Sequence, residues 1–405
     1  GGGAAGAGAC GGVGRAAGGG WGLGAGRAVG RRGQVRTSRA GLGSGRRAGG
    51  GSAGDVSTTL ARADGLRRRD ADTRITVLGT DKGLERRLVP ARGYDLRIIP
   101  KVAFPRRPGA ALVHLPGALR AAVAAAGAAI DETKPEVVVG FGGYVSTPAY
   151  LAARQRKIPI VVHEQNARPG LANRLGAWMT PFVATTFAST ALRHATLIGM
   201  PLRREIALLD RAAQRSEALA HFGLDDHRPT LLITGGSLGA ERLNHAFASR
   251  VAEMRSHGIQ VLHISGQGKA FLPSLTTAGP PYVVVAYTDR MDLAYAAADL
   301  VVARAGANTV CELTAVGLPA VYVPLPIGNG EQRLNAADLI TAGGAILVDD
   351  SSLTPEWIDK TLVPLVTDES RLRAMADAAA TIGEREADER LADLVVVAAR
   401  SRSVR

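Results

Sequence analysis

From about Gly49 onward the chain repeats one pattern: a run of four to six mostly apolar residues, a turn, and an Ala/Leu/Arg-rich helical stretch. Short apolar runs of this kind suit strands buried on both faces of a parallel sheet, and their alternation with helices predicts doubly wound α/β sheets. A first series places strands at Arg74–Leu78, Leu96–Ile99, Val137–Gly140, Ile160–His163 and Phe182–Thr185, with helical runs such as Leu60–Arg69 and Pro116–Thr133 between them. A second series follows at Thr230–Thr234, Gln260–Ser265, Tyr282–Ala286, Leu300–Ala303, Ala320–Val323 and Ala345–Val348. The segment Ile198–Arg203, carrying Gly199 and Pro201, falls between the series and reads as a linker. Two Gly-rich turns, Gly49–Gly54 and Gly235–Gly239, occupy equivalent places. The expected architecture is two Rossmann-like domains facing a cleft, the usual place for a ligand in such sheets.

A length of 405 residues fits two or three domains. The expected division is a disordered Gly/Ala/Arg-rich tail at 1–48, domains at 49–198 and 199–395, and a short tail at 396–405. Cys10 and Cys311 are the only cysteines, which excludes a disulfide framework and fits a reducing compartment. The arginines near the start are not followed by the apolar core of a signal peptide, and no apolar run approaches a membrane span. The net charge of +13 is misleading as a sign of nucleic-acid binding. The first 50 residues hold eight arginines and no acid, so the rest of the chain carries only +5. That stretch has no interleaved aromatic pattern, and no nucleic-acid partner is expected from it.

Several strand ends carry residues suited to a ligand. Thr234-Gly-Gly-Ser-Leu-Gly-Ala240 runs from a strand into a helix, where glycines let the backbone approach an anion and Ser237 can donate to a phosphate. The plainer alternative is a strand–helix turn with Ser237 as its N-cap. Arg304-Ala-Gly-Ala-Asn-Thr-Val-Cys-Glu312 is a similar entry, with Glu312 two turns into the helix, either accepting ribose hydroxyls or lying on a solvated face. Gly330-Glu-Gln-Arg-Leu-Asn335 offers amides and an acid, a mixture that suits sugar hydroxyls or ordinary helix capping. In the first series Val137–Tyr144 ends in a third glycine turn, and His163-Glu-Gln-Asn166 ends a strand in four polar side chains that should face a ligand. The turn Gly49–Asp55 should follow a first strand, yet Gly43–Ala48 makes a poor one. Val102–Pro116 mixes Phe104, Leu112, Val113 and Leu115 with Arg106 and Arg107, with Arg120 nearby, and reads as a membrane-surface patch or an ordinary loop and helix start.

Taken together, Val138–Val145, His163–Asn166, Gly199-Met-Pro-Leu-Arg203, Thr234–Ala240, Arg304–Glu312 and Gly330–Asn335 closely resemble the MurG family of bacterial N-acetylglucosaminyltransferases, over about residues 49–395. The resemblance implies a GT-B fold and an inverting, metal-independent transfer with no cofactor. The donor would be UDP-N-acetylglucosamine and the acceptor the muramyl C4 hydroxyl of lipid I, giving lipid II for peptidoglycan at the cytoplasmic face of the cell membrane. It implies peripheral contact with an anionic membrane surface. Carried over by position, Ser237 would meet the donor diphosphate, Arg203 and Glu312 the nucleoside, Asn166 and Gln332 the sugar, and Thr288 the uracil. Ser52, Ala53, Gly54, Ala307, Asn308 and Thr309 would complete the donor site, and Gly142, Gly143 and Tyr144 would face the acceptor diphosphate. The family's first loop normally has Thr where Ser52 stands and His, its candidate base, where Asp55 stands. Asp55 and Glu164 are the expected catalytic residues. A donor-binding but catalytically impaired homologue, or a GT-B enzyme with another lipid acceptor, are the alternative readings.

Overall fold

In the computed structural model, residues 36–40, 60, 63–81, 85–102, 111–236, 240–275, 278–326 and 329–403 are described. Seven strands form the first sheet: β1 (Arg36–Ala40), β2 (Arg74–Gly79), β3 (Asp95–Ile98), β4 (Val137–Gly140), β5 (Ile160–Glu164), β6 (Phe182–Thr185) and β7 (Ala195–Leu197). Six form the second: β8 (Thr230–Thr234), β9 (Gln260–Ile264), β10 (Tyr282–Val285), β11 (Leu300–Ala303), β12 (Ala320–Tyr322) and β13 (Ala345–Leu347). Their orders are β3-β2-β1-β4-β5-β6-β7 and β10-β9-β8-β11-β12-β13, and the ladders between described residues are parallel. In both, the chain order reverses beside the first strand, at β1/β4 and at β8/β11. Ligands bind such sheets outside the carboxyl ends of the strands at these switch points.

Alternation along the strands builds the cores. Val137 and Val139 pack on one side of β4 with Leu66 and Val77, while Val138 packs on the other with Ile130 and Tyr150. In the second sheet Leu231 and Ile233 face one cluster and Leu232 faces the other. Gly140, which ends β4, is required by this packing: a Cβ there would lie 2.1 Å from the Tyr150 hydroxyl oxygen. The linker changes sides within a few residues, with Ile198 in a core of the first sheet and Met200 and Leu202 in a core of the second.

Three expectations are corrected. Arg36–Ala40, assigned to a tail without structure, forms β1 and pairs with β2 and β4 in the middle of the first sheet. The strand missing ahead of Gly49–Asp55 is thus supplied from further upstream. Its composition hides it, because ladder hydrogen bonds use only the backbone. Residues 396–403 belong to the helix Ala387–Ser403 and are not a tail. That helix buries Leu391, Ala392, Val395, Ala398 and Ala399, a helical spacing, against the first sheet's core, so the chain's last helix returns to the first domain. The helix expected from Pro116 begins at Ala111, with Pro116 inside its first two turns. The edge strand β7, three exposed residues, has no sequence signature.

Candidate functional site

The second sheet's switch point is built around β11. Arg304 donates to the carbonyls of Val323 at 3.0 Å and Pro324 at 3.3 Å, and to the Asp350 carboxylate at 2.5 Å. These bonds hold the turn Ala305–Gly306 from which the helix Ala307–Ala315 starts. Gly306 is extended and no side chain caps the helix. The N–H groups of Ala307, Asn308 and Thr309 therefore have no i−4 carbonyl within the helix, and they carry its positive end. Asn308 Oδ1 is buried with no hydrogen-bond partner in the protein.

Two turns along, Glu312 is gripped from both sides. The buried Tyr295 hydroxyl donates to its Oε2 at 2.8 Å, and Arg203 donates to its Oε1 at 3.3 Å. Arg203 comes from the linker, 109 residues earlier. Burial pulls the Arg203 pKa down, but Glu312 foremost, then Tyr295 and Glu205, outweigh it and the net shift is upward. Tyr295 is pushed well above the usual tyrosine range, first by burial and then by Glu312. The result is a fixed carboxylate with lone pairs left over, the arrangement a pair of vicinal hydroxyls needs. Tyr295 was not legible in the sequence, where it stands in an Ala-rich helix with no motif around it. Nearby, Gln332 is half-buried and its Oε1 accepts from Leu325 N at 2.9 Å. Thr288 Oγ1 accepts from Arg290 N at 3.0 Å. Ser237, with residues 238 and 239, lies outside the described residues, and its turn is entered through Gly236 at φ +78°.

In the first sheet, β4 leads into Gly142 and Gly143 at φ +87° and +81°, a backbone region that favours glycine. Ser146 donates from Oγ to Gly142 O at 2.6 Å and so braces the turn. The Lys101 ammonium, which sequence reading passed over, lies 4.5 Å over the Tyr144 ring. A cation beside two backbone-open glycines is a suitable seat for a diphosphate. Ser52, Ala53, Gly54 and Asp55 lie outside the described residues.

The strand end His163–Asn166 is the main departure from expectation. His163, Glu164 and Gln165 are buried. His163 Nε2 sits 3.0 Å from Gly199 O, and Glu164 accepts from Asn166 N at 3.0 Å, Gly170 N at 3.0 Å and Asn173 Nδ2 at 2.9 Å. Tyr150 in turn donates to Asn173 Oδ1 at 2.9 Å. Burial raises the Glu164 pKa, with those bonds acting against the rise. A base must reach the proton it takes, whereas this carboxyl is enclosed and committed to its own loop. Glu164 thus braces its own loop, and of the four polar residues only Asn166 is partly exposed.

Among the described residues no group of three or more His, Cys, Asp and Glu is placed to hold a metal, and no helix is long and apolar enough to cross a membrane. A groove of about 1130 Å³ lies at the opposite, amino ends of the second sheet, beside Arg211, Pro229, Gly258, Asp299 and Pro319.

Residues 47–185 match the glycosyltransferase family 28 N-terminal domain, and residues 230–391 its C-terminal domain. A Nocardioides protein named UDP-N-acetylglucosamine–N-acetylmuramyl-(pentapeptide) pyrophosphoryl-undecaprenol N-acetylglucosamine transferase is 58% identical over 351 residues, 86% of this chain and 96% of that one. A Streptomyces coelicolor protein of the same name is 54% identical over 359 residues, 88% of this chain and 98% of its own. The crystal structure of Acinetobacter baumannii MurG is similar with a TM-score of 0.70 at 28% identity, covering 90% of this chain and 99% of that one.

Proposed function

The chain belongs to glycosyltransferase family 28, and from that premise we propose how its two halves carry out the transfer that its relatives' names state. It is a UDP-N-acetylglucosamine-dependent N-acetylglucosaminyltransferase of GT-B fold that converts lipid I to lipid II in peptidoglycan synthesis. The muramyl C4 hydroxyl oxygen bonds to the anomeric carbon on the face opposite the diphosphate. The bond from that carbon to the phosphate oxygen breaks, UDP departs with its electron pair, and the hydroxyl proton passes to a base.

The second half holds the donor. Glu312, positioned by Tyr295 and Arg203, takes the ribose hydroxyls, and this gripped carboxylate is the observation that carries the reading. The positive start of Ala307–Ala315 stabilises charge arriving on the departing diphosphate, which Ser237 also meets. Asn166 and Gln332 hold the sugar, and Thr288 borders the uracil. In the first half Gly142, Gly143 and Tyr144 receive the acceptor diphosphate, with Lys101 beside them. Asp55 takes the proton. With a reference pKa near ~3.9 against ~6.5 for histidine it is the weaker base, so turnover is slow and Asp55→His raises it. A radiolabelled transfer assay on a lipid I analogue, with Glu312→Ala beside the unaltered chain, tests the assignment. Equal rates in the two proteins at limiting donor would remove Glu312 from the donor site.

The acceptor's carrier lies in a membrane, and the first half is suited to an anionic bilayer. From Val137 to Arg204 the only acid is the buried Glu164, against eight Arg and Lys. Leu171 and Trp178 are 71% and 72% exposed, on the short helix Leu171–Ala177 and at its C-cap, with Leu175 between them. The Arg193 guanidinium stacks 5.0 Å from the Trp178 ring. Apolar and aromatic side chains rimmed by arginine suit a headgroup layer. This surface adds to the segment Val102–Pro116, of which residues 103–110 lie outside the described residues. Sedimentation with phosphatidylglycerol vesicles should show salt-sensitive binding that Leu171→Ser with Trp178→Ser weakens. Unchanged binding would assign the contact elsewhere.

A further inference from the structure

Resting on the transferase reading above, we infer that Asn335 is a positioning residue that sets the register between the two halves of the site. It ends the helix Glu331–Asn335 in the second half and is 1% exposed. Its Oδ1 accepts from Ala167 N, in the first half, at 2.9 Å. Its Nδ2 lies 3.4 Å from Asn166 Oδ1, also in the first half, and 3.4 Å from Ala305 O in its own half. One amide therefore joins the loop after β5 to the turn that launches Ala307–Ala315. Asparagine suits this place because it offers one acceptor and two donors on a short stem.

The surroundings make the joint specific. Glu164 fixes the same loop from the first half through Asn166 N and Gly170 N. Thr190 Oγ1 donates to Asn166 O at 3.1 Å. Ala167 packs in an apolar cluster made mainly by the second half, and Arg168 donates to Asn329 O. The loop belongs by sequence to the first half and is seated on the second. Within the joint the bond lengths differ in use. The 2.9 Å bond to Ala167 N is of full strength, while the two 3.4 Å contacts are long for a hydrogen bond. Asn335 thus holds the loop backbone firmly and the Asn166 side chain only loosely. It acts on the reaction through Asn166 and the helix start.

Two substitutions separate positioning from folding. Asn335→Asp keeps the acceptor for Ala167 N but sets an anionic oxygen against Asn166 Oδ1 and Ala305 O. Asn335→Ala removes the joint and leaves a buried N–H unpaired. In the full chain kcat for a lipid I analogue should fall about 100-fold in Asn335→Asp, the order expected for a displacement of about 1 Å. Calorimetric affinity for UDP should stay within about twofold and KM for the donor within about threefold, on the same geometric grounds. Adding Asn335→Asp to Asn166→Ala should cost clearly less than the product of the two separate losses, since both act in part through Asn166. A second readout needs no acceptor. With Cys10 and Cys311 replaced by serine and spin labels at Gln155→Cys and Arg371→Cys, the distance distribution between the halves should broaden in both Asn335 variants. The inference is overturned by kcat within twofold of the unaltered chain, by additive losses in the double variant, by loss of UDP affinity in step with kcat, or by an unchanged distance distribution. If the unaltered chain binds UDP yet transfers nothing to lipid I, the acceptor assignment fails, and the label distances still decide the role of Asn335.

Discussion

Replacing Glu312 with alanine separates the donor site from the fold that carries it. The carboxylate receives the Tyr295 hydroxyl at 2.8 Å and Arg203 at 3.3 Å, and in the proposed complex the ribose hydroxyls as well. Losing a hydrogen bond to a charged group is worth about 1.5–3 kcal/mol, so affinity for UDP should drop roughly 10- to 150-fold. The substitution also strands the buried Tyr295 hydroxyl, at about 1–3 kcal/mol. In a domain of this size that lowers Tm by about 2–4 °C per kcal/mol. Glu312→Gln should lose less stability, because an amide oxygen can still accept from Tyr295. Affinity should still drop, since the charge facing Arg203 is gone. Isothermal titration with UDP and with UDP-N-acetylglucosamine, alongside calorimetric melting, checks both quantities. Affinity within twofold of the unaltered chain in a folded Glu312→Ala protein would refute the reasoning, since no other role for a carboxylate so fixed would then remain in the donor site.

Deleting residues 1–33 should leave UDP binding and cooperative melting intact, because the remaining chain from Gln34 is one compact unit. Deleting 1–40 removes β1 from between β2 and β4 and should abolish the transition of the first domain, which circular dichroism and melting would reveal. Gly140→Ala forces a Cβ to within 2.1 Å of a hydroxyl that is itself bonded to Asn173, and should cost about 3 kcal/mol, the upper end for overpacking, seen as a lower urea midpoint. His263, bonded at 3.0 Å to both Tyr282 and Asn244, has its pKa pulled down to about 3 by burial. The unfolded chain then binds the proton first, so stability is complete above the reference value of about 6.5 and declines by up to about 1.4 kcal/mol per pH unit as pH falls toward 3. Urea midpoints at pH 7, 6 and 5 should show that slope, flattened in His263→Gln, and equal slopes would count against it.

Much of the fold was legible because buried parallel strands are local signals. β4, β6, β8 and β11 match the expected bounds, and the others differ by a residue or so at their ends. Two strands were not legible. β7 is too short and exposed to carry a pattern, and Arg-Thr-Ser-Arg-Ala has none of the apolar character that marks a central strand. Gly142 and Gly143 turn after a strand and Glu312 lies within a helix, the local positions the motifs gave, since glycine turns and helix starts are set by neighbours in sequence. Tyr295, Lys101 and Asn173 were missed because each acts through a residue from another element.

The sequence alone determined that there are two parallel α/β halves and which strand ends carry polar residues, because backbone sterics and the two-residue and 3.6-residue periods act over a few neighbours. Only the tertiary structure decided which acid is closed in by its own loop and which is held by residues from other elements. Glu164 and Glu312 stand in motifs of similar appearance. One is closed in by Gly170 and Asn173 from its own loop and helix, and the other is gripped by Tyr295 and Arg203 with room to spare. The same holds for the last helix, whose apolar face was readable but whose partner, the first sheet, was not. A side chain's chemistry depends on what surrounds it in three dimensions, and those surroundings come from residues up to 109 positions away in the case of Glu312 and from the opposite half in the case of Asn335.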